Sequence, residues 1–160
     1  MVGGVGGATG SGNFPDVAYG TKGVYFFACY NTSTGEIQKF ESRDYGFIWT
    51  GPTPVTIDTV RIVADLQITA EHDGNVDSTT LWIFTNRLEA NVLFCGAAFQ
   101  LCFQLDLFFN ASQDAGANWS ADSNLTNTPC CCNAGTPVGH HEILPRLAVS
   151  KVRPTRVGDL

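Results

Sequence analysis

The stretch FQLCFQLDLFF, from Phe99 to Phe109, decides the fold class. In an extended chain Phe99, Leu101, Phe103, Leu105, Leu107 and Phe109 share one side, and Gln100, Cys102, Gln104, Asp106 and Phe108 share the other, because successive side chains of a strand point to opposite faces. A helix cannot gather that pattern on one face. The stretch is expected to be the central core strand, with the first set turned inward. Burying those side chains would contribute roughly 9–18 kcal/mol gross, before the entropy of ordering them is subtracted. On this expectation Leu105→Asp unfolds the domain.

Working outward, Asp58 to Ala70 shows the same alternation, with Val60, Ile62, Ala64, Leu66 and Ile68 on one side and Thr59, Arg61, Asp65, Gln67 and Thr69 on the other. A polar turn from Glu71 to Ser78 leads into a return strand from Thr79 to Arg87, and Asn91 to Cys95 begins another. Earlier in the chain Val24 to Tyr30 and Glu36 to Glu41 read as strands around the turn residues Asn31 to Gly35. Tyr45 to Thr50 reads as a further aromatic strand, ended by Gly51-Pro52-Thr53-Pro54, where the prolines withhold ladder donors. A last strand is expected from Ile143 to Val152.

These strands, with turn signals between them and no sustained helical period, predict an all-β domain: an antiparallel two-sheet sandwich of jelly-roll or Greek-key type. Residues 1–13 form a Gly-rich N-terminal arm, 14–152 the sandwich domain and 153–160 a C-terminal arm. Glycine in the first arm carries a large entropy cost and offers nothing to pack, so that arm is expected to order itself against another chain. Residues 110–137, rich in Asn, Ser and Thr, read as a long excursion of the kind that makes contacts.

The chain has 160 residues and a formal net charge of −6, with 15% charged residues. That acidity excludes a protein that wraps nucleic acid, which needs clustered Lys and Arg. The one basic cluster, Lys151, Arg153 and Arg156, reads as a solvated or partner-bound tail. Neither a signal peptide nor a membrane-spanning helix is expected, since Gln100, Gln104 and Asp106 interrupt the most apolar stretch. The expectation is a soluble chain made in a cytoplasm. The sequons at Asn31, Asn110, Asn118 and Asn124 then reflect polar loops.

The residues that bear on chemistry form no catalytic set. Six cysteines stand at Cys29, Cys95, Cys102, Cys130, Cys131 and Cys132. Cys130 and Cys132 would face one side of an extended segment, where His140 or His141 could complete a zinc site, although the spacing fits no established pattern. Buried free thiols are the first reading, with Cys95 and Cys102 behaving as small hydrophobes, and disulfides are a third. Asp73, Asn75 and Asp77 offer oxygens at alternate positions, as calcium loops do, but without the closing glutamate or flanking helices. His72, His140 and His141 all fall in loops, so no nucleophile, base and orienter can be assembled. Trp49 and Trp82 read as core residues and Trp119 as free.

Low charge, extended ends, the polar excursion and the sandwich body together resemble a virion structural protein, such as a capsid decoration or minor capsid protein of a tailed phage. The resemblance implies a non-enzymatic, homo-oligomeric protein located in the virion, without cofactor, whose partners are its own copies or a capsid lattice. Two other readings stand beside it. One is a carbohydrate-binding module using Trp119 and the loops around Asp73 and Asn118; the other is a metal-dependent enzyme centred on Cys130 to His141.

Overall fold

Strands dominate the structure, a computed structural model that describes residues 12–57, 62–71, 75–133 and 136–139. The first sheet, sheet A, contains β1 (Gly12–Tyr19), β2 (Tyr25–Asn31), β3 (Glu36–Ser42) and β4 (Thr50–Ile57), in that order. The second, sheet B, contains β5 (Ile62–Glu71), β6 (Thr80–Cys95), β7 (Ala98–Ser112) and the short β8 (Ser123–Asn124), again in that order. A small hairpin of β9 (Cys131–Asn133) and β10 (Thr136–Val138) completes the set. All pairings are antiparallel.

The expected all-β sandwich is what the chain forms. Its connections, however, are those of two successive meanders: neighbours in sequence are neighbours in each four-stranded sheet, in place of a Greek-key return. The reason is local. Each link within sheet A is a short turn, as where Asn31 accepts from Ser33 N through Oδ1 (2.9 Å) and from Gly35 N through its carbonyl (2.8 Å), with Gly35 at φ +73°. Short links pair consecutive strands.

Between the sheets lies one apolar core. Phe26, Ala28, Tyr30 and Ile37 of sheet A meet Leu66, Ile68, Leu81 and Ile83 of sheet B, with Ala115 and the partly buried Trp119 against them. The cross-sheet backbone approach is concentrated at the first strands, β1 and β5, where Ile68 N donates to the Asp16 carboxylate at 2.9 Å.

Three expectations are corrected. Of the strand expected at Tyr45 to Thr50, Tyr45 to Trp49 is a turn and Thr50 begins β4, and Gly51-Pro52-Thr53-Pro54 lies inside β4, an edge strand whose register against β3 is irregular; an edge tolerates missing donors. Strand β1 has no counterpart in the expected strands, nor do the short β8, β9 and β10 of the expected excursion; Gly12 and Asn13, expected in the arm, pair with Asn31 and Tyr30. The rest of that arm, the C-terminal arm and the strand expected at 143–152 lie outside the described residues.

The third correction concerns β7 and is the most consequential. The alternation is present, but the faces are exchanged: Phe99 is 76% exposed, Leu101 and Phe103 are exposed as well, and Asp106 on the opposite side is 0% exposed. Gln104, Phe108 and Asn110 are buried with it, while Leu107 is the one member of the apolar set that is buried. Periodicity identifies which side chains share a face and says nothing about which face is covered. Here the covering comes from residues 119–133, which supply hydrogen bonds and sulfurs to the polar side.

The exchange of faces is testable. Ile83→Ala, at a site fully buried between the sheets, should cost about 2–5 kcal/mol by chemical denaturation. Phe99→Ser, which forfeits mainly its ring contact with Phe94 (centroids 5.2 Å), should cost no more than about 1.5 kcal/mol. Equal losses at the two sites would contradict the assigned orientation of sheet B.

Candidate functional site: two matched turns and an outward apolar face

Where β3 passes to β4 and β7 passes to β8, the chain makes the same turn twice. Ser42, Asp44, Gly46 and Trp49 occupy the positions that Ser112, Asp114, Gly116 and Trp119 occupy in the second, a Ser-x-Asp-x-Gly-x-x-Trp pattern. The serine hydroxyl donates to the aspartate, at 2.8 Å in the first turn and 2.7 Å in the second. It accepts from the glycine N–H at 2.9 and 2.8 Å. The same carboxylate oxygen accepts from Ile48 N or Asn118 N, each at 2.9 Å. The indole N–H closes the turn on the glycine carbonyl, at 3.0 and 3.2 Å.

The backbone requires these residue types. Tyr45 and Ala115 have φ of +62° and +54°, and the following Gly46 and Gly116 have φ of +86° and +84°, so two consecutive left-handed residues are held in place by the aspartate. Each turn also reaches back to its own sheet, through Tyr45 N to Gly23 O (2.9 Å) and Ala115 N to Thr79 O (3.0 Å). The donors gathered on the aspartates lower their pKa. Asp114 falls to about 2, chiefly through the Asn118 backbone N–H, then the Asn118 side chain and Ser112; Asp44 is lowered through Ile48 N and Ser42.

The two turns differ in what covers them. The second faces the core: Ala115 is buried, its carbonyl accepts from Lys39 Nζ at 2.7 Å, and Trp119 packs against the core cluster. The first lies on the opposite side of sheet A, where Trp49 meets Phe27 edge-on at 6.2 Å and Tyr45, Phe47 and Ile48 are exposed. A cleft of about 420 Å³ opens beside the second turn, lined by Lys39, Glu41, Arg43, Asp77, Asp114 and Gly116 among others. Its ionic groups are paired with one another: Lys39 with Glu41 (3.3 Å) and Arg43 with Asp77 (2.9 Å).

Behind β7, Arg87 and Asp106 are the centres of a buried hydrogen-bond network. Arg87 stacks on Phe108 at 4.7 Å, donates to Thr85 and Asn110, and forms a two-pronged pair with Asp122. Asp106 accepts from Gln104, Asn124, Thr126 and the Thr128 backbone. The arrangement fixes residues 120–128 against the sheet, with Arg87 and Asp106 committed to protein partners and Gln104 Oε1 left without a hydrogen bond among the described residues.

Four of the six cysteines form disulfides in place of the free thiols expected. Cys95 is joined to Cys132 and Cys102 to Cys130, which clips the β9–β10 segment over the long β6–β7 hairpin. Cys130 and Cys132 are therefore not thiolates and cannot ligate zinc in this oxidised chain, and His140 and His141 lie outside the described residues. Cys29 is buried, and burial raises its thiol pKa; Cys131 is exposed and belongs to neither bridge. Among the residues of the expected calcium loop, Asn75 accepts from Asp77 N (3.1 Å), Asp77 pairs with Arg43, and Asp73 is outside the described residues. Among the described residues no group of His, Cys, Asp and Glu is placed to hold a metal ion. Trp119, read as free, is partly buried with its N–H occupied, whereas Trp49, read as core, lies on the outward side of sheet A. The repeated turn was legible in the sequence as a spaced Ser-Asp-Gly-Trp pattern, and reading element by element passed over it.

What remains is surface. Even-numbered residues of β6 and odd-numbered residues of β7 share the opposite face, on which Val92, Phe94, Phe99, Leu101 and Phe103 are exposed, Trp82, Phe84 and Phe109 are partly buried, and Asn86 and Leu107 are buried. No family model matches the chain, and no curated protein matches it in sequence.

Two outcomes test this geometry. A carboxylate whose folded pKa is depressed contributes stability above its unfolded value of about 3.9. That contribution is lost as pH falls through the folded value of about 2. Melting temperatures of the wild type should therefore fall over this acid range more steeply than those of Asp114→Asn, which is less stable at neutral pH; parallel curves would contradict the assignment. Replacing Cys102 and Cys130 with Ser should lower stability by roughly 3 kcal/mol, since the bridge closes a loop with a sequence separation of 28.

Proposed function

We propose that the protein is a structural, assembly-forming protein that joins subunits through the outward face of sheet B. The observation that carries this reading is the apolar face itself. Val92, Phe94, Phe99, Leu101 and Phe103 are all exposed and adjoin one another on two paired strands, where isolated exposed hydrophobics would need no explanation. Aromatic residues at a contiguous patch are the composition of an interface core.

Two features support a supporting rather than a catalytic role. The buried ionic groups are spent on each other, and the double disulfide stiffens the hairpin that presents the face. Disulfides persist in oxidising surroundings, which suits a protein that works on the outside of a particle. A capsid lattice, which offers the same docking patch many times, is the setting proposed for it.

Sedimentation velocity over a wide range of concentration tests the reading. The weight-average mass should rise with concentration for the wild type, and a Phe99→Ser, Leu101→Ser variant should stay nearer the protomer mass. Identical behaviour of the two proteins would overturn it.

A further inference from the structure

We propose that a second copy of the chain docks head to tail on the same side of sheet B, its outward face of sheet A covering the end that carries Trp82, Phe84 and Phe109, next to the exposed Val92–Phe103 patch. The proposal rests on the assembly reading above and names its occupant. Its argument is the internal repeat. Tyr25 pairs with Ser42 in sheet A as Leu81 pairs with Ser112 in sheet B, so the matched turns superimpose the two sheets strand on strand. Phe26, Ala28 and Lys39 then correspond to Trp82, Phe84 and Phe109.

Within one copy, sheet B lays the face that carries its turn against the Phe26–Ala28–Lys39 face of sheet A. Repeating that step places the turn-bearing face of the next sheet A on the Trp82–Phe84–Phe109 face of sheet B. The space at the two turns agrees with this. A Cβ on Gly116 would lie 2.6 Å from Lys39 Cδ, whereas among the described residues a Cβ on Gly46 would meet only Trp49, at 3.9 Å. No described residue fills at the first turn the position that Lys39 fills at the second.

Chemistry matches at both steps. The second turn presents Ala115, a backbone carbonyl and Ala117, and receives a lysine. The first presents Tyr45, 70% exposed, and Phe47, 81% exposed, and would receive Phe109 beside Phe84, whose rings already lie 4.9 Å apart. A polar contact inside the chain is thus replaced by an apolar one between chains. Because the sheets converge at β1 and β5, repetition of the same wedge bends the stack toward those strands. A heterologous contact with a constant rotation closes into a ring, in the manner of four-stranded propeller blades.

Faces that differ allow complementation. Phe47→Asp spoils the sheet A face and Phe109→Lys the sheet B face; Ala111→Glu serves for the latter if Phe109→Lys melts early. Each variant alone should be monomeric by sedimentation velocity at concentrations where the wild type associates, with at least about a tenfold rise in Kd. Mixed together, the two should form a 1:1 dimer that grows no further, since each retains one intact face. The wild type should level off at one discrete multiple of the protomer. Association of Phe47→Asp equal to the wild type, or no pairing in the mixture, overturns the head-to-tail contact while leaving assembly through sheet B standing. Unlimited growth of the wild type overturns ring closure, and a wild type that stays monomeric overturns both readings.

Discussion

The ion pair of the buried Arg87 with the partly buried Asp122, on the inner side of β6 and β7, is the contact on which the orientation of sheet B depends. A guanidinium removed from water is tolerated only with close partners, and Arg87 has Asp122, Asn110 and Thr85 on one side and the Phe108 ring on the other. Asp106 is held in the same way by groups from residues 124–128. With these polar groups enclosed, Val92, Phe94, Phe99, Leu101 and Phe103 lie exposed on the other side of the same two strands.

This ordering of causes reverses the usual one, in which apolar side chains choose the interior. The chain does build an interior from apolar residues, but it lies between Phe26, Ala28 and Tyr30 on one sheet and Leu81, Ile83 and Ile68 on the other. Beyond that core the β6–β7 hairpin continues to Cys95 and Ala98, past the end of β5, where among the described residues the clipped β9–β10 segment accompanies it. The disulfides cover the side that carries Cys95 and Cys102, and on the aromatic side Phe94, Phe99 and Phe103 are exposed.

Much of the fold was legible from residue order. The alternation in Phe99 to Phe109 and in the strand that includes Leu66 and Ile68 identified strands correctly, and Asn31 to Gly35 formed the turn that its residues require. Two things were hidden. Strand β1 contains glycine and proline and lacks a clean period, so its pairing with β2 is fixed by the neighbour rather than by its own pattern. The covered face of β7 was hidden because it is set by partners far away in sequence: Asp122 for Arg87, Cys130 for Cys102. Of the candidate site, the matched turns could have been found, since Ser, Asp, Gly and Trp recur at identical spacing. The metal readings at Cys130 and Cys132 relied on adjacency in sequence, and the sulfurs turned to more distant cysteines instead.

Side-chain footprinting by hydroxyl radicals, read out by peptide mass spectrometry at low and high protein concentration, tests the central claim most directly. Phe99 and Leu101 should be oxidised in dilute protein and protected as concentration rises, while Phe26 and Phe108 stay protected throughout. Protection of Phe99 and Leu101 in the dilute protomer would mean that this face is the core after all, and the account of sheet B would be wrong.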